Sequence, residues 1–553
     1  MKAYFLLMMV LLCGVGSAQS QWVSNYVGDS GGDINFSSAK GNAIAVDNSG
    51  NSYVTGYCYE IFSGNDIITI KYNEFGDTLW VRSYNGSSSN NDEGKGICTD
   101  SYGNVYVVGS SQNTGKGNDI TILKYSSDGT LIWDRPFSSS EANREDKGIA
   151  IAVDGNDYIY VTGYTTGDDY KQDIVTIKYD QSGIVVWSSL ESGNEGLNSQ
   201  GLCLAISNSG SVYVTGFVAA SSTGADIALV KYNSEGILQW VKYVNGGGNS
   251  EDKAWGIVVD QSDNVYITGY VTEANYNIDC YTAKYSSDGA LLWSRTYNGN
   301  GNNSDKSWGI VVDTDGSVYI TGESKSSNIN YLTVKYDYAG NQIWASTYNG
   351  SGNGTDIASA IGIITNPDNT KSVVVTGKSW GYWNYDFATV RYNSITGEQT
   401  QANRYSMNGI TNDVAKDLAV SENNNVYITG YSQLLVESST EQSYVSTMML
   451  NWGAGSELIT NNNNTPQKFE LGQNYPNPFN PSTTIKFVLP YPTEVKLVVY
   501  DMLGKVVDVL VNQELNAGSY NITFSNNSLA SGIYFYKLTA GEFTQIKKMT
   551  LVK

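Results

Sequence analysis

The chain has 553 residues, among them 58 Gly and 42 Tyr, only 8 Pro and no His. That length exceeds one ordinary hydrophobic core, and the aromatic, turn-rich composition with 16% charged residues favours strands over helices. A formal charge of −21 argues against a nucleic-acid or anionic-lipid partner, and the missing His removes His-based triads, His-ligated zinc and the commonest general base.

The first segment, MKAYFLLMMVLLCGVGSAQS, has one Lys, an apolar run and then small residues at Gly16 and Ala18. It reads as a secretory leader (1–18) cleaved between Ala18 and Gln19. Lipidation at Cys13 fits less well, because Leu12 stands where such signals need a small residue. No later apolar run is long enough to cross a bilayer. The exported chain keeps Cys58, Cys98, Cys203 and Cys280. Export permits disulfides, yet Cys98 and Cys203 look equivalent in non-neighbouring repeats, so free buried thiols are expected.

Directly after the leader, QWVSNYVG matches WVRSYNG further on, aligning Trp22 and Tyr26 with Trp80 and Tyr84. From residue 41 one unit recurs. Its second strand, VYVTG or VYITG, closes on Gly56, Gly109, Gly163, Gly216, Gly269, Gly322, Gly377 and Gly430, in steps of 53 to 55 residues. Each unit predicts four short strands: a small apolar first strand (GIAIAVD), the Tyr-Val-Thr-Gly strand, an Asp-to-Lys-Tyr strand (DIITIKY) and a Trp strand (GTLIW). Eight such units predict an all-β, eight-bladed β-propeller over 19–452, built of four-stranded blades. The eighth unit lacks a fourth strand, and the Trp22 segment would supply it, closing the last blade and covering an otherwise exposed edge. A seven-bladed ring with a stray unit and a linear solenoid are the alternatives. Trp and Tyr four residues apart share a strand face and are expected to pack between blades. The Asp opening the third strand (Asp66, Asp119, Asp173, Asp226, Asp279, Asp386) is expected to accept hydrogen bonds from loop amides.

The stretch GNAIAVDNSGNSYVTG (41–56) resembles the bacterial β-propeller repeat of the SBBP type. The resemblance covers roughly residues 20–452 and implies the fold; it implies little chemistry, since such proteins are mostly secreted and of unassigned role.

Recurrent loop carboxylates Asp146, Asp252, Asp305, Asp356 and Asp413 precede the first strands. Repetition in most blades favours a structural role, although a pair of carboxylates is all that a glycosidase needs. No nucleophile elbow, phosphate loop, dinucleotide fingerprint or C-x-x-C pair is present, so no catalytic, cofactor-binding or metal residues are assigned. Calcium is the one cofactor left open, through DTDGS (313–317) and DNSGN (47–51), which hairpin turns explain equally well. One stretch breaks the symmetry: KSWGYWNYD in unit seven, with Trp380, Tyr382, Trp383 and Tyr385. Trp255 and Trp308, at matched positions in units five and six, would join these aromatics as ligand-binding candidates if the segments share a face.

After Trp452 a polar linker (453–467) leads to a segment, 468–553, whose alternating runs predict a small immunoglobulin-like β-sandwich. It carries 8 Lys/Arg and 6 Asp/Glu; with Lys2 set aside, the propeller and linker are left with 24 basic and 48 acidic residues. Asn474, Tyr475, Pro476, Asn477, Pro478 and Phe479, then VYDMLG (499–504), SGIYFYKL (531–538) and KKMTLVK (547–553), resemble the type A C-terminal sorting domain of the type IX secretion system of Bacteroidetes and relatives. The resemblance implies the secretion machinery as partner, passage through the periplasm, and release or fixation at the outer cell surface. The reading of the whole is an exported, non-catalytic propeller binding a glycan or protein through one loop face. A carbohydrate-active enzyme using loop carboxylates and a structural surface-layer component are the alternatives.

Overall fold

The computed structural model describes residues 19–27, 38–451 and 469–552, except 89, 114–116, 139–143, 194, 382, 408–410, 435–441, 475–476, 481, 490–492, 503–504, 516–517, 526–528 and 542. Every regular element among them is a strand. They fall into two compact units, Ser20–Ala454 and Gly455–Lys553.

In the first unit eight antiparallel four-stranded sheets follow one another in chain order. Blade 5 is typical: Lys253–Val259 innermost, then Val265–Thr272, Ile278–Tyr285 and Leu291–Tyr297 at the periphery. Blade 8 has Thr411–Val420, Val426–Leu434 and Ser443–Asn451, and its outermost strand is Gln19–Tyr26 from the start of the array. Inner strands touch in sequence, and the last, Thr411–Val420, touches the first, Ala39–Val46. The ring is therefore closed by a strand borrowed across the seam.

The recurrent phrase is explained bond by bond. In blade 1, Asp47 opens the turn between the first two strands. Its Oδ1 accepts the Ser49 and Asn51 amides at 2.9 Å, and its Oδ2 accepts the Asn51 side-chain amide and the Tyr53 hydroxyl at 2.8 Å. Gly50 takes φ +79°, which an L side chain adopts only under strain. Thr55 Oγ1 donates to the Ile68 carbonyl at 2.9 Å. At Gly56 the Lys40 carbonyl passes so close that an added Cβ would lie 1.9 Å from its oxygen. The DNSGN loop is thus a hairpin turn held by protein donors. In DTDGS, Asp313 likewise accepts the Thr314 amide and pairs with Lys371, while Asp315 accepts the Ser317 amide.

Second and third strands are sandwiched between neighbouring blades. All eight residues of Val265–Thr272 are buried, which is why these strands read as almost unbroken apolar runs. The outer-strand Trp fastens each blade to the next. Trp80 Nε1 donates to the Ser127 carbonyl of blade 2 at 3.1 Å, and Lys71 Nζ donates to the same oxygen at 2.9 Å. The pattern repeats with Trp133 and Lys124 on Gln181, and with Trp187 and Lys178 on Ser234. At the seam Trp22 donates to the Glu74 carbonyl of blade 1 at 3.0 Å and packs against Tyr72 and Tyr427. Tyr84, four residues after Trp80, donates to Asp134 of blade 2, as a shared strand face requires.

Two expectations need correction. Cys98 pairs with Tyr106 and Cys203 with Thr215, so Cys98 stands two residues further along its inner strand than Cys203 does. The bulge sits at the same register in both strands, so the offset lies in the sequence itself; Cys98, Cys203 and Cys280 are free thiols. The third-strand aspartates accept from side chains rather than from loop amides: Asp66 from Ser63, Asp119 from Asn113, Asp226 from Thr223.

In the second unit, a sheet of Glu470–Leu471, Ser482–Leu489 and Gly518–Ser525 and a sheet of Val506–Leu515, Thr493–Tyr500, Gly532–Ala540 and Phe543–Leu551 enclose one core. Phe479, Phe487, Leu497, Tyr536 and Met549 belong to it, so the unit is a small β-sandwich.

Candidate functional site

Each inner strand carries one bulge, and always at the same register. Between Ala254 and Gly256 of blade 5 the pairing skips Trp255; between Ser307 and Gly309 of blade 6 it skips Trp308. The equivalent residues are Asn42, Lys95, Ile149 and Leu202 in blades 1 to 4, and Ser359 and Lys416 in blades 7 and 8. A bulged residue leaves the pleat. Here it stands at the open edge that faces the ring axis and leans on the next blade: Asn42 Nδ2 donates to the Gly94 carbonyl at 2.8 Å, Ser359 Oγ to the Ala415 carbonyl at 3.1 Å. The eight residues form a tier around the central channel, near the strands' starting ends.

That tier is not uniform. Trp255 and Trp308 meet edge to face with centroids 5.8 Å apart, and Tyr270 meets Trp308 at 6.3 Å. Trp255 is 38% exposed. Trp308 is half-buried, and its indole N–H has no acceptor among the described residues. Lysines occupy the opposite part. Lys416 is open to solvent, with its Nζ 5.8 Å from the centre of the Tyr431 ring. Loss of hydration pushes its ammonium below the ordinary value, and repulsion from Lys378, Lys95 and Lys40 adds to the effect, with Glu93 opposing. Glu93 is already engaged, accepting Lys95 Nζ at 2.6 Å and Asn42 Nδ2 at 2.9 Å. Lysines nearer the mouth lie over aromatic rings of the preceding blade: Lys40 over Tyr431, Lys253 over Phe217, Lys306 over Tyr270.

Antiparallel order puts the loops entering the inner strands and the loops joining second to third strands on one face. The aromatic segment of blade 7 is therefore on the face where Trp255 and Trp308 open. Its members differ in setting. Trp380 ends the strand Lys371–Trp380, is half-buried, meets Tyr385 at 4.9 Å and fills the space over Gly354. Tyr385 opens the strand Tyr385–Asn393 beneath Lys378. Trp383 is 84% exposed. Tyr382 lies outside the described residues. Under the segment, Arg404 pairs with Asp386 at 2.7 Å and donates to Ser379 Oγ at 2.6 Å. The segment is less singular than its sequence implies. Phe62, Tyr170 and Tyr276 are exposed on the corresponding loops of blades 1, 3 and 5, and Tyr170 and Tyr276 hold φ near +60°. Sequence reasoning passed over them because each is the single aromatic of its loop.

The recurrent aspartates anchor this face from below. Asp252 accepts the Gly246 and Thr272 amides, both at 2.6 Å; Asp92 accepts the Gly86 and Gln112 amides. Asp146, Asp305 and Asp356 likewise accept backbone amides, and all are buried. Burial pushes Asp92 and Asp252 up to about 6 and Asp413 up to about 7. Among the described residues no group of three or more His, Cys, Asp or Glu side chains is placed to hold a metal ion.

In the second unit Asn474 and Phe479 are buried. Asn474 donates its amide to the Tyr536 hydroxyl, and Asn477 Oδ1 accepts the Thr550 amide, clasping the strand Phe543–Leu551. Asn477 and Pro478 are exposed, and Tyr475 and Pro476 lie outside the described residues. Of the expected cleavage pair, Ala18 lies outside them too, and Gln19 opens the borrowed strand.

Residues 473–552 match the family described as Secretion system C-terminal sorting domain, and residues 80–115 and 140–171 match Beta-propeller repeat. An uncharacterized WD repeat-containing protein of Acanthamoeba polyphaga mimivirus is 22% identical over 448 residues, 56% of this chain; the chain spans only 31% of that protein. Among solved structures, Sqt1 of Chaetomium thermophilum bound to the N-terminus of ribosomal protein L10 aligns with a TM-score of 0.46 at 9% identity, over 75% of this chain and 96% of that one. PorZ, a surface component of the type-IX secretion system of Porphyromonas gingivalis, aligns with a TM-score of 0.37 at 11% identity, over 92% of this chain and 74% of that one. Likenesses at this level say nothing of ligand or partner. The ring is thus a propeller of the Beta-propeller repeat kind, and the tail is a type IX secretion system C-terminal sorting domain, which directs the protein to the cell surface or exterior.

Proposed function

We propose that the protein is a non-catalytic binding propeller: residues 1–18 are removed, 453–467 act as a linker, the secretion machinery recognises 468–553, and the ring presents its channel-mouth face to a glycan or protein. The observation that carries this reading is the pair Trp255 and Trp308. Two large aromatics meet at equivalent bulges of consecutive blades, one of them 38% exposed, where the other blades place smaller or charged residues. Bulges re-aim side chains next to functional sites, and an exposed indole on a rigid strand offers area at little entropic cost. The loop aspartates are buried and engaged with backbone amides, which suits a structural role better than acid–base chemistry. The test is to screen the secreted full-length protein on a glycan array and against outer-membrane proteins. Binding that is lost in Trp255→Ala or Trp308→Ala is the expected result. No binding on either screen, or binding indifferent to both substitutions and to Trp383→Ala, would overturn the reading.

A further inference from the structure

The binding reading leaves the ligand's class open, and the charge around the two tryptophans narrows it. The chain as a whole is strongly acidic, at −21. Yet Lys40 and Lys416 both lie over one residue, Tyr431, at 4.6 and 5.8 Å from its ring centre, Lys95 and Lys378 add to the repulsion on Lys416, and the nearby Glu93 is already shared by Lys95 and Asn42. On the other flank Lys253 and Lys306 lie over Phe217 and Tyr270, beside the tryptophan pair; Glu251 pairs with Lys253 at 3.3 Å and Glu323 faces Lys306 and Lys378, so the lysines of this mouth outnumber the carboxylates that offset them. Like charges gathered at one mouth of the ring destabilise one another. A bound anion would relieve that repulsion, and low-dielectric walls focus such a field on what approaches.

Part of the remaining wall is apolar, the rest being Asn42 and Ser359. Ile149 and Leu202 continue the tier from Trp255 and Trp308. A small inorganic anion would leave that wall unused. A ligand suited to both halves is flat, has one apolar face and carries regularly spaced negative charge. A uronate pyranose has this chemistry: axial C–H groups on one face, hydroxyls at the rim and a carboxylate at C6. Resting on the binding reading above, we propose that the channel mouth takes an acidic saccharide, a uronate-bearing chain, with a sugar ring against Trp255 and Trp308 and its carboxylates paired with the lysines around Lys416.

The test is calorimetric titration of the full chain with tetramers of galacturonate, mannuronate and guluronate. The same tetramers fully methyl-esterified serve as neutral counterparts of equal shape, and tripolyphosphate as a sugar-free anion. At least one acidic tetramer binds about tenfold or more tightly than its ester, and loses affinity as salt rises. Lys416→Ala weakens the acidic tetramer about fivefold or more while leaving any ester binding unchanged; Trp255→Ala weakens both. Equal affinity for acid and ester overturns the acidic class and leaves the binding reading intact. Tripolyphosphate binding as tightly as the best tetramer, insensitive to Trp255→Ala, overturns it in favour of a bare anion site. If no tetramer binds while the glycan array detects a neutral ligand that Trp255→Ala abolishes, the charge argument alone is wrong. Silence of both experiments removes the binding reading itself.

Discussion

At the residue scale the tryptophans of this ring divide into two kinds, and the division is physical. Trp22, Trp80, Trp133 and Trp344 are buried, and each spends its indole N–H on a carbonyl of the next blade. Trp383 is exposed, and Trp255 partly so. Truncating Trp22 to Ala removes the seam contacts with Tyr72 and Tyr427 and the bond to Glu74, at about 3–5 kcal/mol, the range for large-to-small changes at buried aromatics. Thermal unfolding of Trp22→Ala should show a markedly lower midpoint, whereas Trp383→Ala should unfold with the parent. The partner of each Trp is equally constrained. Gly129 holds φ +83°, and an added Cβ would stand 2.7 Å from the Trp80 ring. Gly129→Ala therefore combines left-handed strain with a clash, and denaturant titration should find it clearly destabilised; an unchanged midpoint would mean that the turn rearranges freely.

At the element scale the borrowed strand matters most. Gln19–Tyr26 covers Ser443–Asn451, whose Val445 and Met449 are buried, and it ties in through Asn25, which accepts from Ser446 Oγ at 2.7 Å and donates to the Tyr405 hydroxyl at 3.1 Å. Removing residues 19–26 would expose a long apolar edge. Size-exclusion chromatography of the shortened chain should show self-association or aggregation, and a clean monomer of parental stability would mean that the seam needs no lock. The inner-strand bulge is the second decisive element. Repeated in every blade, it turns one position per unit toward the axis, so eight residues of six kinds gather there without disturbing the sheets.

At the scale of the whole molecule, both faces of the ring carry carboxylates, in different settings. The hairpin turns on the face opposite the lysine mouth carry Asp47, Asp100, Asp128, Asp260, Asp288 and Asp313. The buried aspartates add a pH dependence. Their folded pKa values, about 6 for Asp92 and Asp252 and about 7 for Asp413, lie above the ordinary unfolded value near 4. Over that interval the folded ring holds protons that the unfolded chain releases, so stability falls as pH rises from about 4 through about 7 and is regained on acidification. Calorimetry should find a higher unfolding temperature for the ring at pH 5.5 than at pH 8, and Asp413→Asn should shrink the difference. A midpoint that falls on acidification over that range would contradict it.

The sequence by itself determined the repeat, the number of blades, the borrowed strand and the identity of the tail. Those features rest on local chemistry that recurs in every unit: Asp47 with Tyr53 within one hairpin, the Gly after Thr, the Trp that opens the outer contact. Trp255 and Trp308 were legible too, as large residues at matched places. Tertiary structure alone decided that a single bulge register places them in one tier with Lys95 and Lys416, and that Trp380 fills a gap while Trp383 faces solvent. The physical reason is distance along the chain. A bond inside a hairpin leaves its mark within a few residues, whereas the neighbours of a channel side chain come from blades 50 to 370 residues away, and only ring closure brings their charges and rings together.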